Sequence, residues 1–164
     1  MVVLCQPPDA TALRDRGFVD VRPVEEALDW GALRVTRTNG RHGTGEIAQR
    51  MAPASGFVIT TPDEPTLYLA GDTIWCDEVR EAVDRHHPDI VVANAGGARF
   101  LEGDPITMTA DDVVALARHP PAPGSSPSTS RRSTTAWRPG QTCAHALNTS
   151  SFKSASACPM TVTQ

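Results

Sequence analysis

The chain is poor in aromatic residues, 5% in all with Tyr68 as its one tyrosine, and it holds a single lysine among 15 basic residues. Without a Tyr-x-x-x-Lys pair, short-chain dehydrogenase chemistry has no proton donor. Without a basic stripe on an acidic body, nucleic acid is excluded as an expected partner. No apolar run reaches the length of a membrane-spanning helix, and Met-Val-Val-Leu-Cys-Gln is too short and uncharged for a signal peptide, so a cytoplasmic protein with no membrane partner is expected. Cys5, Cys76, Cys143 and Cys158 stand at no metal-like or redox spacing and read as free thiols. The most telling scarcity is local: all 19 acidic residues lie before residue 119, which leaves residues 1–118 at net −8 and residues 119–164 at +4 within a total of −4.

Residues 1–118 alternate apolar runs with helical patterns, the signature of an α/β, layered α+β fold. Val2–Cys5, Phe18–Val21, Leu33–Thr36, Gly56–Thr60 and Thr66–Ala70 read as strands. Pro62-Asp63-Glu64-Pro65 makes the last two a hairpin. Asp9 is placed to cap a helix over 10–16 that Gly17 closes. Thr73 or Asp77 is placed to cap a helix through His86, with Val79, Ala82 and Val83 inward and Glu81 four residues before Arg85. Ile90–Ala93 is apolar without alternation, as in a strand covered on both faces. Thr109 and Asp112 form a capping-box pattern before a helix with Val113, Val114, Leu116 and Ala117 inward. Residues 119–164 are rich in Ser, Thr and Pro, show no periodic apolar face and read as a disordered tail.

Two loops concentrate reactive groups. In Thr38–Glu46 an imidazole, His42, sits among glycines just after a strand. In Gly71-Asp72-Thr73 a carboxylate ends a strand. Both donor types suit zinc, although a catalytic zinc takes three protein ligands. On residue type alone, His42 reads first as an exposed loop residue and Asp72 as a helix cap. Gly40, Gly43 and Gly45 follow a strand but lack the Gly-x-Gly-x-x-Gly spacing of a dinucleotide turn.

Longer blocks carry a resemblance. Gly40–Ile47, Ser55–Val58, Tyr68–Cys76, Val91–Gly97 and Pro105–Thr109 are similar to the metallo-β-lactamase-fold hydrolases, in particular the branch that resembles L-ascorbate-6-phosphate lactonase. The resemblance implies an αββα sandwich with zinc or manganese in a cleft between two sheets. It implies that His42 matches the family's middle histidine ligand and Asp72 its aspartate ligand. The activity it implies is attack of metal-bound hydroxide on an ester, lactone or related bond of a small-molecule substrate.

The departures are equally specific. The family's early His-x-His-x-Asp-His motif occurs nowhere, and the adjacent His86 and His87 point in different directions on a helix. The late histidine is also missing. Read in another frame with GC-rich codons, the stretch from Gly124 to Trp137 can encode Val-Val-Ala-Val-His followed by a second histidine segment. The expectation is therefore a partial domain over 1–118, truncated before its first motif, followed by an out-of-frame tail over 119–164. Two functions compete: a metal-dependent hydrolase impaired in this chain, and a non-catalytic fragment with weak or no metal binding.

Overall fold

The computed structural model describes residues 1–51, 53–120 and the backbone of two further strands at Ser133–Trp137 and His145–Asn148. In chain order the elements are β1 (Val2–Cys5), a 3₁₀ turn (Pro7–Asp9), α1 (Ala10–Asp15), β2 (Asp20–Pro23), β3 (Ala27–Trp30) and β4 (Leu33–Gly40). There follow α2 (Gly45–Arg50), β5 (Ala54–Thr60), β6 (Leu67–Gly71), α3 (Asp77–His86), β7 (Ile90–Asn94), α4 (Ala110–Arg118), β8 (Ser133–Trp137) and β9 (His145–Asn148). No described helix is long and apolar enough to cross a membrane.

The strands form two sheets. β1 and β2 make a parallel pair, and β3 to β9 form a seven-stranded sheet in sequence order. Within the larger sheet β3 to β6 run antiparallel to one another, and β6, β7 and β8 are parallel. One face carries the core. Val58, Tyr68, Ala70, Val91 and Ala93 are buried there with Val79, Ala82 and Val83 of α3, Val113 and Leu116 of α4, and Met108. Alternation in β5 and β6 and the helical spacing of α3 point these residues to one interior. The resulting α/β architecture agrees with the class expected from the sequence.

Local chemistry explains most boundaries. At α4 the Thr109 hydroxyl accepts from the Asp112 backbone amide at 3.2 Å while Asp112 Oδ2 accepts from the Thr109 amide at 2.8 Å, a reciprocal capping box. α3 ends on His87, which adopts the left-handed conformation at φ 46, directly before Pro88. Arg85 and Glu81 form the expected ion pair along its outer face.

Several expectations are corrected. Asp9 does not cap α1: its backbone is helical after the 3₁₀ turn, and its carboxylate accepts from Gln6 Nε2 at 3.0 Å. Neither Thr73 nor Asp77 caps α3, whose N-cap position is Cys76. Val114 is exposed, because α4 lies on the core along the narrow stripe of Val113 and Leu116. Within the segment read as a disordered tail, residues 133–137 and 145–148 are strands, β8 pairing with β7 and β9 with β8. An extended segment laid beside a formed strand gains ladder hydrogen bonds without needing a periodic apolar face of its own. The other residues from 121 onward lie outside the described set.

Candidate metal cleft

Two strand ends deliver the candidate donors. β4 ends at Gly40, and the loop Arg41-His42-Gly43 follows before α2. A side chain at residue 40 would put its Cβ 3.0 Å from Thr73 Oγ1, so glycine lets the His42 loop lie this close to the Asp72 loop without displacing Thr73. β6 ends at Gly71, whose φ is +74 and where a Cβ would stand 2.6 Å from the Ser55 carbonyl oxygen. Glycine therefore permits the turn that presents Asp72 at the sheet end.

Thr73 is wholly buried and ties the two loops together. Its hydroxyl accepts from the Arg41 amide at 2.9 Å and lies within donating distance of the Arg41 carbonyl at 3.2 Å and the Ile74 carbonyl at 3.0 Å. The Ile74 amide donates to the Arg41 carbonyl at 2.9 Å. The Arg41 guanidinium pairs with Glu78 at 2.7 Å and holds the Glu78 carboxyl below its ordinary value, with the Glu78 amide adding to the effect. Asp72 is exposed and accepts from Asn94 Nδ2 at 2.8 Å, which fixes one carboxylate oxygen from the end of β7.

His42 and Asp72 line one cavity of about 390 Å³, together with Cys5, Gln6 and Asp9 from the end of β1 and Ser55 from β5. The structure thus brings together the two residues singled out in the sequence. It excludes Asp72 as the cap of α3, and it packs Trp75 and Cys76 at the start of that helix. Arg41 serves Glu78, and Glu46 is an exposed acid in the first turn of α2. His86 and His87 lie at the far end of α3. His86 faces a groove with Arg37 and Glu81, and its imidazole is pushed down by burial and by neighbouring Arg85 and His87.

Cys5, Gln6 and Asp9 were not foreseen as cleft residues. Their signal was positional, since they follow the C-terminal end of a parallel strand, where ligand crevices form in such sheets. The Cys5 thiol is buried, and burial with nearby Asp9 raises its pKa against the smaller opposing influence of Arg14, so it stands as a neutral thiol. The Gln6 amide nitrogen is engaged by Asp9, and Gln6 Oε1 is buried without a hydrogen-bond partner among the described residues.

No family model matches the chain. UPF0173 protein YddR of Bacillus subtilis (strain 168) is 31% identical over 114 residues, which are 69% of this chain and 45% of YddR. The crystal structure of a "possible metal-dependent hydrolase" from Veillonella parvula DSM 2008 superposes with a TM-score of 0.68 at 32% identity, over 71% of this chain and 48% of that one. The metallo-beta-lactamase fold protein YhfI of Bacillus subtilis superposes with a TM-score of 0.52 at 11% identity, over 71% of this chain and 46% of YhfI. The chain has the metallo-β-lactamase fold. It spans about half the length of the relatives it matches.

A metallo-β-lactamase-fold cleft invites a divalent metal, and the donor set tests that. A tetrahedral catalytic zinc takes three protein donors and leaves a fourth position for water or substrate. Among the described residues no group of three or more His, Cys, Asp or Glu is arranged to hold a metal. His42 and Asp72 are two suitable donors, and no third is arranged with them among the described residues. The described residues therefore do not fit a complete resident metal site.

Proposed function

We propose that this chain carries the cleft of a metal-dependent hydrolase acting on a small ester, lactone or related substrate, and that its described residues do not by themselves sustain turnover. The observation that carries the proposal is the convergence of His42 and Asp72, from the ends of β4 and β6, on one cavity where, among the described residues, no third donor is arranged with them to hold a metal. The fold and the Veillonella relative favour hydrolase ancestry, and the count of donors argues for impairment in this chain. Zinc or manganese is the metal class that an imidazole and a carboxylate suit. Cytoplasmic residence belongs to the same proposal, in keeping with the unbridged Cys5 and Cys76.

The reading includes a change of frame near residues 118–124, supported by the loss of every acidic residue beyond that boundary. The coding DNA tests it: a single-base shift that restores a strand and histidine segment supports the idea, and its absence refutes it. For the activity, an ester and lactone screen in saturating zinc and in saturating manganese is expected to show no turnover above buffer. Turnover abolished by His42→Ala or Asp72→Ala would refute impairment and establish an active enzyme.

A further inference from the structure

The loop between β7 and α4 lies over α2 and encloses a second pocket. Its neck is fixed by three hydrogen bonds. The Ile106 amide donates to the Ala98 carbonyl at 2.7 Å, the Gly97 amide to the Met108 carbonyl at 2.9 Å, and the Ala98 amide to Thr107 Oγ1 at 3.0 Å. Thr44, just before α2, donates its hydroxyl to Asp104 at 2.9 Å. At Gly103, with φ +115, a Cβ would stand 2.9 Å from Ile47 Cδ1, so the loop backbone rests on that side chain. Ile47, Arg50 and Met51 from α2 and its end, with Phe100 and Glu102 from the loop, line a pocket of about 350 Å³. Small-molecule sites span roughly 300–1,000 Å³, with a largely apolar lining and a few polar groups.

Three observations bear on what this pocket takes. Its apolar lining suits an aromatic ring, because Phe100, 52% exposed, offers a ring to pack against and Met51 a polarizable sulfur. Its charges oppose each other, since Arg50 and Glu102 carry opposite signs and neither forms an ion pair among the described residues. A pocket without net charge has no field to hold a phosphate and favours an uncharged group. It also adjoins the cleft. At Gly43, the residue after His42, a Cβ would stand 3.3 Å from Ile47 Cγ2, so the His42 loop and the pocket share Ile47 as a wall. Pro53 and Ala54, just past Met51, line the cleft with His42. We infer that this pocket is the subsite for an aromatic ring of the cleft's substrate, so that the chain binds uncharged aromatic esters in preference to phosphorylated sugar-like ones. This rests on the hydrolase-cleft reading of His42. All residues that build the subsite fall between positions 43 and 108, well inside the chain.

The test titrates the full chain, without added metal, with benzyl acetate and separately with glucose 6-phosphate, followed by methyl and imidazole NMR. Benzyl acetate is expected to shift the Ile47 and Met51 methyl resonances and the His42 ring resonances along one saturable curve. Glucose 6-phosphate at the same concentrations is expected to shift none of them. Phe100→Ser is expected to weaken benzyl acetate binding about tenfold, whereas Leu101→Ser, a change at the neighbouring exposed side chain outside the pocket, is expected to leave it unchanged. Both positions are exposed, so both variants are expected to keep the parent unfolding midpoint. No saturable shift, equal losses in the two variants, or a preference for glucose 6-phosphate overturns the inference. Shifts at Ile47 and Met51 with the His42 ring unmoved also overturn it, since the pocket would then be separate from the cleft. Zinc takes no part in the titration, so failure of His42 and Asp72 to bind zinc would sink the metal reading and leave the subsite standing.

Discussion

Replacing Thr73 with valine removes one hydroxyl from the junction of the two site loops and nearly preserves shape. Thr73 is fully buried, and its oxygen accepts from the Arg41 amide at 2.9 Å while its proton serves either the Arg41 or the Ile74 carbonyl. Valine fills the same volume, so no cavity forms, and the cost is that of leaving unpaired the partly buried Arg41 amide, and the Ile74 carbonyl where that is the hydroxyl's acceptor; the Arg41 carbonyl keeps the Ile74 amide. That cost is about 1–3 kcal/mol. With a urea dependence of about 1–3 kcal/mol per molar, the unfolding midpoint should fall by roughly 1 M. Thr73→Ser keeps the hydroxyl and loses one methyl group, worth about 0.8 kcal/mol. Valine should therefore be the more damaging change in urea titrations followed by circular dichroism. It should also move the ring resonances of His42, whose loop the hydroxyl holds, while serine leaves them in place. If valine is neutral and serine costly, the methyl group is what matters and the clamp does not exist.

Further expectations concern single features of the fold. Gly71→Ala forces a side chain into the left-handed region and against the Ser55 carbonyl, and it should cost about 2 kcal/mol or more in chemical denaturation; a neutral result would contradict the turn geometry. Asp112→Ala removes half of the α4 capping box and should cost about 1 kcal/mol, with Asp112→Asn recovering part of it. Glu78 is held below its ordinary pKa by Arg41, so the pair stabilises the fold above the unfolded carboxylate range and loses that effect as pH falls through the folded value. Both side chains are partly exposed, at 46% for Arg41 and 31% for Glu78, so solvent screening keeps the contribution small. The stability difference between Arg41→Met and the parent chain should then be present at neutral pH, begin to shrink as pH falls below the unfolded glutamate value of about 4.3, and vanish only below the lowered folded value. A difference independent of pH would assign the effect to packing of the arginine stem.

The parts of the fold legible in the sequence are those set by local chemistry. The Pro62–Pro65 turn, the Thr109 and Asp112 box, the inward stripe of α3 and the doubly apolar β7 each follow from a few adjacent residues. The missed elements depend on neighbours far along the chain. β3 carries Ala27-Leu28-Asp29-Trp30 at the sheet edge with mostly exposed side chains, so no alternation of burial marks it. α2 opens on Gly45 at φ +54, without a side-chain cap. β8 takes its place from the free edge of β7 rather than from a pattern of its own. The same division holds in the cleft. His42 and Asp72 stand in recognisable blocks, whereas Cys5 and Gln6 reach the cavity only because β1 ends there, and Asn94 meets Asp72 only because β6 and β7 are parallel neighbours.

The claim that the cleft holds two donors meets its most direct test in the zinc affinity of the purified chain beside His42→Ala and Asp72→Ala, read by competition with a chelating dye. Complete structural zinc sites release about 10–16 kcal/mol, and two donors of four supply on the order of half, which corresponds to a dissociation constant of roughly 1–200 µM. The account predicts an affinity in that range for the parent chain and a loss of about tenfold or more in each variant. Stoichiometric zinc held far more tightly, or binding that neither substitution weakens, would contradict it.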